Sequence, residues 1–135
     1  MKFLRSITSV LLLLVVFSAC SKDSDSTPST TTFQGLWQGK FGNDNDAPTV
    51  FFSLKFKAGG VLEEIDIDGS VKGTGTYTID NNNIVIGHTV NIKAPVGNKY
   101  SYVAAFYPSQ GKILGNWGFG NSGTNGGLFE LTTKK

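Results

Sequence analysis

The chain has 135 residues and a single cysteine, enough length for one compact core rather than two and too few thiols for a disulfide framework. Lys2 and Arg5 account for the whole formal charge of +2, leaving ten lysines facing ten acidic residues and no arginine. Such a neutral remainder lacks the basic stripe and the bidentate guanidinium forks of a nucleic-acid binder, so no nucleic-acid partner is expected.

Residues 1–19 read as a signal peptide: Lys2 and Arg5 form a positive start, Ile7 to Phe17 an apolar core, and Ser18-Ala19 a small-residue end. A membrane-spanning helix needs about twenty consecutive apolar residues. This run is interrupted by Ser6, Thr8, Ser9 and Ser18 and is followed by Lys22 and Asp23. Ordinary signal peptidase requires a small side chain three residues before its cut, and for a cut after Ala19 that position holds Phe17.

The tetrapeptide Phe17-Ser18-Ala19-Cys20 resembles the bacterial lipobox, in which small residues precede an obligatory cysteine. The resemblance implies that Cys20 becomes the first residue of the mature chain and carries a diacylglycerol thioether and an amide-linked acyl chain. Two or three chains anchor stably where one holds only marginally. The expected partner is therefore the lipid bilayer, and the expected location is the cell envelope at the outer membrane, on its periplasmic face or the cell surface. A lipidated Cys20 also leaves no thiol for a disulfide, a metal or a nucleophile.

Residues 20–32 combine the lipidated cysteine with Ser, Thr, Asp, Lys and Pro and no large apolar side chain, the composition of a flexible tether. Within them Ser21-Lys22-Asp23-Ser24-Asp25 resembles the short acidic export signal of surface lipoproteins in Gram-negative groups; a plain hydrophilic spacer is the alternative.

Residues 33–135 form the folded domain. Eight short alternating or aromatic-rich runs follow one another: Leu36 to Phe41, Thr49 to Lys57, Val61 to Asp68, Val71 to Ile79, Ile84 to Lys93, Lys99 to Tyr107, Lys112 to Phe119 and Leu128 to Thr133. Gly59-Gly60, Asp68-Gly69, Asp80 to Asn83, Gly97-Asn98 and Gly111 suit tight connections. Parallel strands need crossovers of about a dozen residues or more, which most of these links cannot provide. The pattern predicts an all-β, antiparallel, eight-stranded up-and-down meander closing into a small barrel, with an open sandwich as the alternative.

Alternation predicts Val71, Gly73, Gly75, Tyr77 and Ile79 on the inner face of the fourth strand, and Ile84, Ile86, His88, Val90 and Ile92 on the apolar face of the fifth. Glu64, Asp66 and Asp68 alternate with Ile65 and Ile67, which predicts a solvated outer face for the three acids. Gly39, Gly73, Gly75 and Gly115 fall inside strands, where a small barrel bends or a backbone approaches closely.

Gly35-Leu36-Trp37 on the first strand of such a meander resembles the G-x-W of lipocalin and avidin-like (calycin-type) barrels, and Gly115-Asn116-Trp117 echoes it on the seventh. The resemblance implies that Trp37 plugs the closed end of the barrel. Lipocalins usually cover that tryptophan with a late arginine; here only Lys112, Lys134 or Lys135 is available.

No enzyme is expected, and no cofactor or metal. His88 is the only histidine, so zinc and triad chemistry have no second partner. Asp66-Ile67-Asp68-Gly69 holds part of a calcium-loop pattern but reads better as an Asp-Gly hairpin, and Asn43-Asp44-Asn45-Asp46 shares the ambiguity. Two function classes stand. In the first, the barrel mouth binds a small apolar or amphipathic ligand, with Trp37, Tyr77, His88, Tyr100, Tyr102 and Trp117 as the candidate lining. In the second, the barrel is filled by Phe52, Phe56, Phe106 and Phe129 and acts as a protein-binding or inhibitor-type accessory of the envelope. Its contact surface would draw on the apolar groups on both faces of Val50 to Phe56, and on Ser101, Val103, Ala105 and Tyr107. The loop Gly120 to Gly127 serves either class as a mouth, or is a permissive turn.

Overall fold

A computed structural model describes residues 32–134. The signal peptide, Cys20 and all of the tether but Thr32 lie outside the described residues. Eight strands follow in chain order: β1 (Gly35–Phe41), β2 (Val50–Lys57), β3 (Val61–Ile65), β4 (Val71–Ile79), β5 (Ile84–Asn91), β6 (Lys99–Tyr107), β7 (Lys112–Phe119) and β8 (Gly127–Thr133). Each pairs antiparallel with the next, and β1 pairs with β8 from Trp37↔Thr133 to Phe41↔Phe129, closing the barrel. Among the described residues closure pairs every strand edge, so none is left to template another chain. At Gly39 a Cβ would overlap the Glu130 carbonyl, and at Gly75 that of His88, so these glycines mark where neighbouring strands coil too tightly for a side chain.

Because β1 begins and β8 ends at the same rim, the chain enters and leaves the barrel at one end. That end is solidly filled. Trp37 is fully buried and meets Phe106 edge-on at 5.6 Å. Phe33, just ahead of β1, lies 4.5 Å from Phe56, 5.4 Å from Tyr77 and 5.2 Å from Phe106 between ring centres. The Trp37 indole N–H donates to the Phe33 carbonyl at 2.8 Å, and the Phe33 ring lies 6.4 Å from the Trp37 ring between centres. Leu54, Leu62, Val85, Ala104, Ile113 and Leu131 complete the buried core. Phe52, Phe56, Phe106 and Phe129 all face inward, as the alternation implied.

Two facial assignments are corrected. On β5 the inner residues are Val85, Gly87 and Thr89, while Ile84, Ile86 and Val90 are exposed and half-buried His88 faces outward. The pairing Tyr77↔Gly87 explains the inversion. A Cβ on Gly87 would lie 3.1 Å from Leu62 Cδ2 and 3.2 Å from Tyr77 Cβ, so large groups entering from other strands force β5 to present small ones. The apolar face of β5 is thus its outer face.

Glu64 is the second correction. It is 5 % exposed and points into the barrel. β3 stops at Ile65, where the register with β4 shifts between Glu64↔Gly73 and Ile65↔Val71, leaving Lys72 as an extra residue. Beyond it Asp66 and Asp68 fold into a turn: Asp66 Oδ1 accepts the Ile67 N–H, and Asp68 Oδ1 accepts both the N–H and the hydroxyl of Ser70. Asp66 and Asp68 are therefore outside, whereas Glu64 is the last regular strand residue and alternates inward with Leu62.

Candidate functional site

The open end of the barrel is built differently from the plugged one. The Phe41, Phe52, Tyr100, Tyr102, Trp117 and Phe119 rings enclose a cavity of about 220 Å³ together with Asn43, Glu64 and Lys72. Position on the strands explains the lining: Phe41 ends β1, Phe52 lies near the start of β2, Tyr100 and Tyr102 open β6, and Trp117 and Phe119 end β7. All of these positions lie toward the rim opposite the Trp37 plug.

The rings meet steeply rather than stacking flat. Phe41 and Trp117 are 5.3 Å apart at 80°, Trp117 and Phe119 5.0 Å at 66°, and Phe52 and Phe41 5.8 Å at 75°. Trp117 is fixed by its indole N–H, which donates to the Gly42 carbonyl at 2.9 Å. The loops on either side are joined: the Gly42 N–H donates to Leu128 O, the Asp44 N–H to Gly126 O, and the Gly126 N–H to Trp117 O. Asn125 Oδ1 accepts the Phe119 N–H, so the loop after β7 is held down at the mouth.

Polar groups meet on one wall. Lys72 Nζ donates to Glu64 Oε1 at 2.7 Å, Thr89 Oγ1 donates to Glu64 Oε2 at 3.3 Å, and the Tyr102 hydroxyl shares a 2.8 Å hydrogen bond with Thr89 Oγ1. A threonine hydroxyl has one proton, so with that proton on Glu64 the oxygen accepts from Tyr102, giving a directed chain Tyr102 to Thr89 to Glu64. Burial pushes the Tyr102 phenol far above its ordinary range, and the neighbouring Glu64 charge acts in the same direction. The register shift in β4 is what turns Lys72 toward this wall; its side chain remains 37 % exposed against 6 % for Glu64.

Of the residues singled out from sequence, Tyr100, Tyr102 and Trp117 come together around the cavity. Trp37 and Tyr77 sit in the plugged end, with the Tyr77 hydroxyl donating to the Lys57 carbonyl at 2.9 Å. His88 lies on the outer wall in a shallow groove with Thr76, Ile86, Ser101 and Val103. The lining residues missed were Phe41, Asn43, Glu64, Lys72 and Phe119, and Phe52, read as filling the barrel, lines the cavity as well. For Phe41 and Phe119 the signal was their place at strand ends sharing one rim; for Glu64 and Lys72 nothing in the alternation marks a register shift.

The outer wall carries its own apolar band. Ile84 pairs with Ala105 and Ala105 with Leu114, while Ile86 pairs with Val103. Ile86 is 57 % exposed, and Ile84, Val103 and Leu114 are more than a third exposed. At the mouth-side turns Lys93 Nζ donates to Asp66 Oδ2 at 2.9 Å and to the Ser70 hydroxyl at 2.7 Å. That ammonium holds the Asp66 carboxyl below the usual carboxylate range, and Ser70 does the same for Asp68. Among the described residues no three histidine or acidic side chains converge as a metal site would require. Comparison with protein-family models, with curated proteins and with solved structures returned no match to this chain.

Proposed function

We propose that this chain is an envelope lipoprotein, held at the outer membrane by acyl chains on Cys20, whose calycin-like barrel binds one small amphipathic molecule in its mouth without catalysing a reaction on it. The observation that carries this reading is the contrast between the two ends of the barrel. One is packed solid around Trp37, while the other keeps a cavity of about 220 Å³ walled by aromatic rings and one group of polar side chains. An aromatic wall with a few convergent polar groups is the usual make-up of a small-molecule site. An apolar cavity of about 150 Å³ accommodates benzene, so this one has room for a body of about one ring.

The tether supports the same reading. It joins the barrel beside Phe33, at the plugged rim, so the mouth opens at the rim away from the attachment point.

The outer band of Ile84, Ile86, Val103 and Leu114 supports a second reading, a protein-binding accessory. Native mass spectrometry of the full-length protein purified from its own cells separates the two. A retained molecule of about one ring supports ligand binding; an empty barrel carrying a stoichiometric protein partner overturns it in favour of the second reading.

A further inference from the structure

The cavity wall contains a carboxylate that a purely apolar ligand would not need. Among the described residues Glu64 is the only acidic one in the lining, it is almost fully buried, and replacing a buried ion pair with apolar side chains is often neutral or stabilising. We propose that the mouth cavity takes a small organic ammonium ion, which pairs with Glu64 in place of Lys72. This rests on the ligand-binding reading above and names the class of ligand.

The two partners of the ion pair are unequal. Glu64 is fixed inside the barrel by β3, and its second oxygen receives the Thr89 hydroxyl. Lys72 is the extra residue of the register shift, stands at the rim, and has a side chain more than a third exposed. Rotation about its four-carbon stem carries the ammonium into water, where it is fully hydrated. The carboxylate has no such exit, and unpaired it would be a buried charge of high cost. Lys72 therefore acts as an internal cation that covers Glu64 until a ligand ammonium takes its place.

The rest of the wall favours the same sign. Aromatic rings carry negative charge on their faces and attract cations, most strongly when water is excluded. Trp117 meets Phe41 at 80° and Tyr100 at 59°, so the three rings do not lie in one plane and border the cavity on more than one side. An anionic ligand would meet the Glu64 charge and those ring faces, with only an already neutralised lysine in its favour.

The test uses calorimetric titration of the full-length chain with three probes of one shape and different charge: phenethylammonium, 2-phenylethanol and phenylacetate. The ammonium should bind about tenfold or more tightly than the alcohol, the size expected of one desolvated cation–π and ion-pair contact, and phenylacetate weakest. Glu64→Gln should erase the preference for ammonium over alcohol, and Lys72→Met should tighten ammonium binding by removing the internal competitor. Should Lys72→Met leave the chain unfolded, Lys72→Gln, whose amide can still donate to Glu64, asks the same question. Phenylacetate binding as tightly as the ammonium, an equal affinity for the alcohol, or weaker ammonium binding in the folded Lys72 variant overturns the proposal while leaving ligand binding intact. Failure of all three probes overturns the ligand-binding reading itself, and this proposal with it.

Discussion

Gly126→Ala tests whether Trp117 is held as rigidly as the mouth geometry requires. A Cβ added at Gly126 would lie 2.6, 2.7 and 2.8 Å from Cε3, Cδ2 and Cζ3 of the Trp117 ring. Carbon atoms at rest sit about 3.5–4.0 Å apart, so the indole must retreat by roughly 1 Å. It has little freedom to do so. Its N–H is bonded to the Gly42 carbonyl, Phe41 meets it on one side and Phe119 on another. Moving the backbone instead would strain the bonds from Gly126 N–H to Trp117 O and from Asp44 N–H to Gly126 O. Overpacking of this kind costs about 1–3 kcal/mol, and a loosened indole hydrogen bond adds about 1 kcal/mol. The expected loss is therefore about 2–4 kcal/mol, read as a lower urea midpoint with an unchanged slope. Ligand binding at the mouth should weaken in the same variant.

A second substitution isolates the cause. Phenylalanine at position 117 lacks the fused second ring of tryptophan, so adding Gly126→Ala to Trp117→Phe should cost much less than adding it to the native chain. A stability within about 0.5 kcal/mol of native for Gly126→Ala, the ordinary range of surface changes, would refute the steric argument. So would strict additivity of the two substitutions.

Trp37→Ala should cost about 3–5 kcal/mol, as expected for an aromatic truncated in a packed core, because Trp37 is fully buried among Phe33 and Phe106; chemical denaturation checks it, and a loss below about 1 kcal/mol would contradict a solid plug. Tyr102 retains its proton in the folded chain well above the pH at which an unfolded tyrosine loses it, so the folded state binds more protons than the unfolded one above about pH 10 and stability falls there by about 1.4 kcal/mol per pH unit for this group. Tyr77, raised by burial, acts in the same direction. Tyr102→Phe should cost about 1 kcal/mol at neutral pH through the lost Thr89 bond and make the alkaline decline shallower; an unchanged alkaline slope would contradict the assignment. Cys20→Ser should move the protein from the membrane to the soluble fraction, and continued partitioning into detergent would contradict the lipid anchor.

The strand runs, their short links and the resulting antiparallel barrel were legible in the sequence because alternation and turn chemistry are local properties. β1, β4, β6 and β7 lie where the apolar periodicity and the glycine or Asp-Asn turns put them, within one residue. The inward direction of Trp37, Phe52, Phe56 and Tyr77 was legible too, since these rings are too large to leave outside a core that needs them; Leu54, read as part of a contact surface, is instead buried, and Ile79, read as inward with Tyr77, is 38 % exposed. A third of the mouth lining was visible, through Tyr100, Tyr102 and Trp117. What escaped was set by volume and register. Val85, Gly87 and Thr89 face inward because Leu62, Tyr77 and Tyr102 arrive from other strands and fill the space, a condition no stretch of β5 expresses.

The sequence by itself determined that this chain carries an all-β domain of eight meandering strands, because period-two alternation and short polar links leave few other arrangements. The tertiary structure alone decided which end is plugged and which is open, since that depends on how rings from distant strands share one interior. It also decided that Glu64 and Lys72 meet inside the mouth rather than in water. A single extra residue of β4, Lys72, in its pairing with β3 reverses the direction of one side chain, and a displacement of one residue in register is too small for any pattern of residue types to announce.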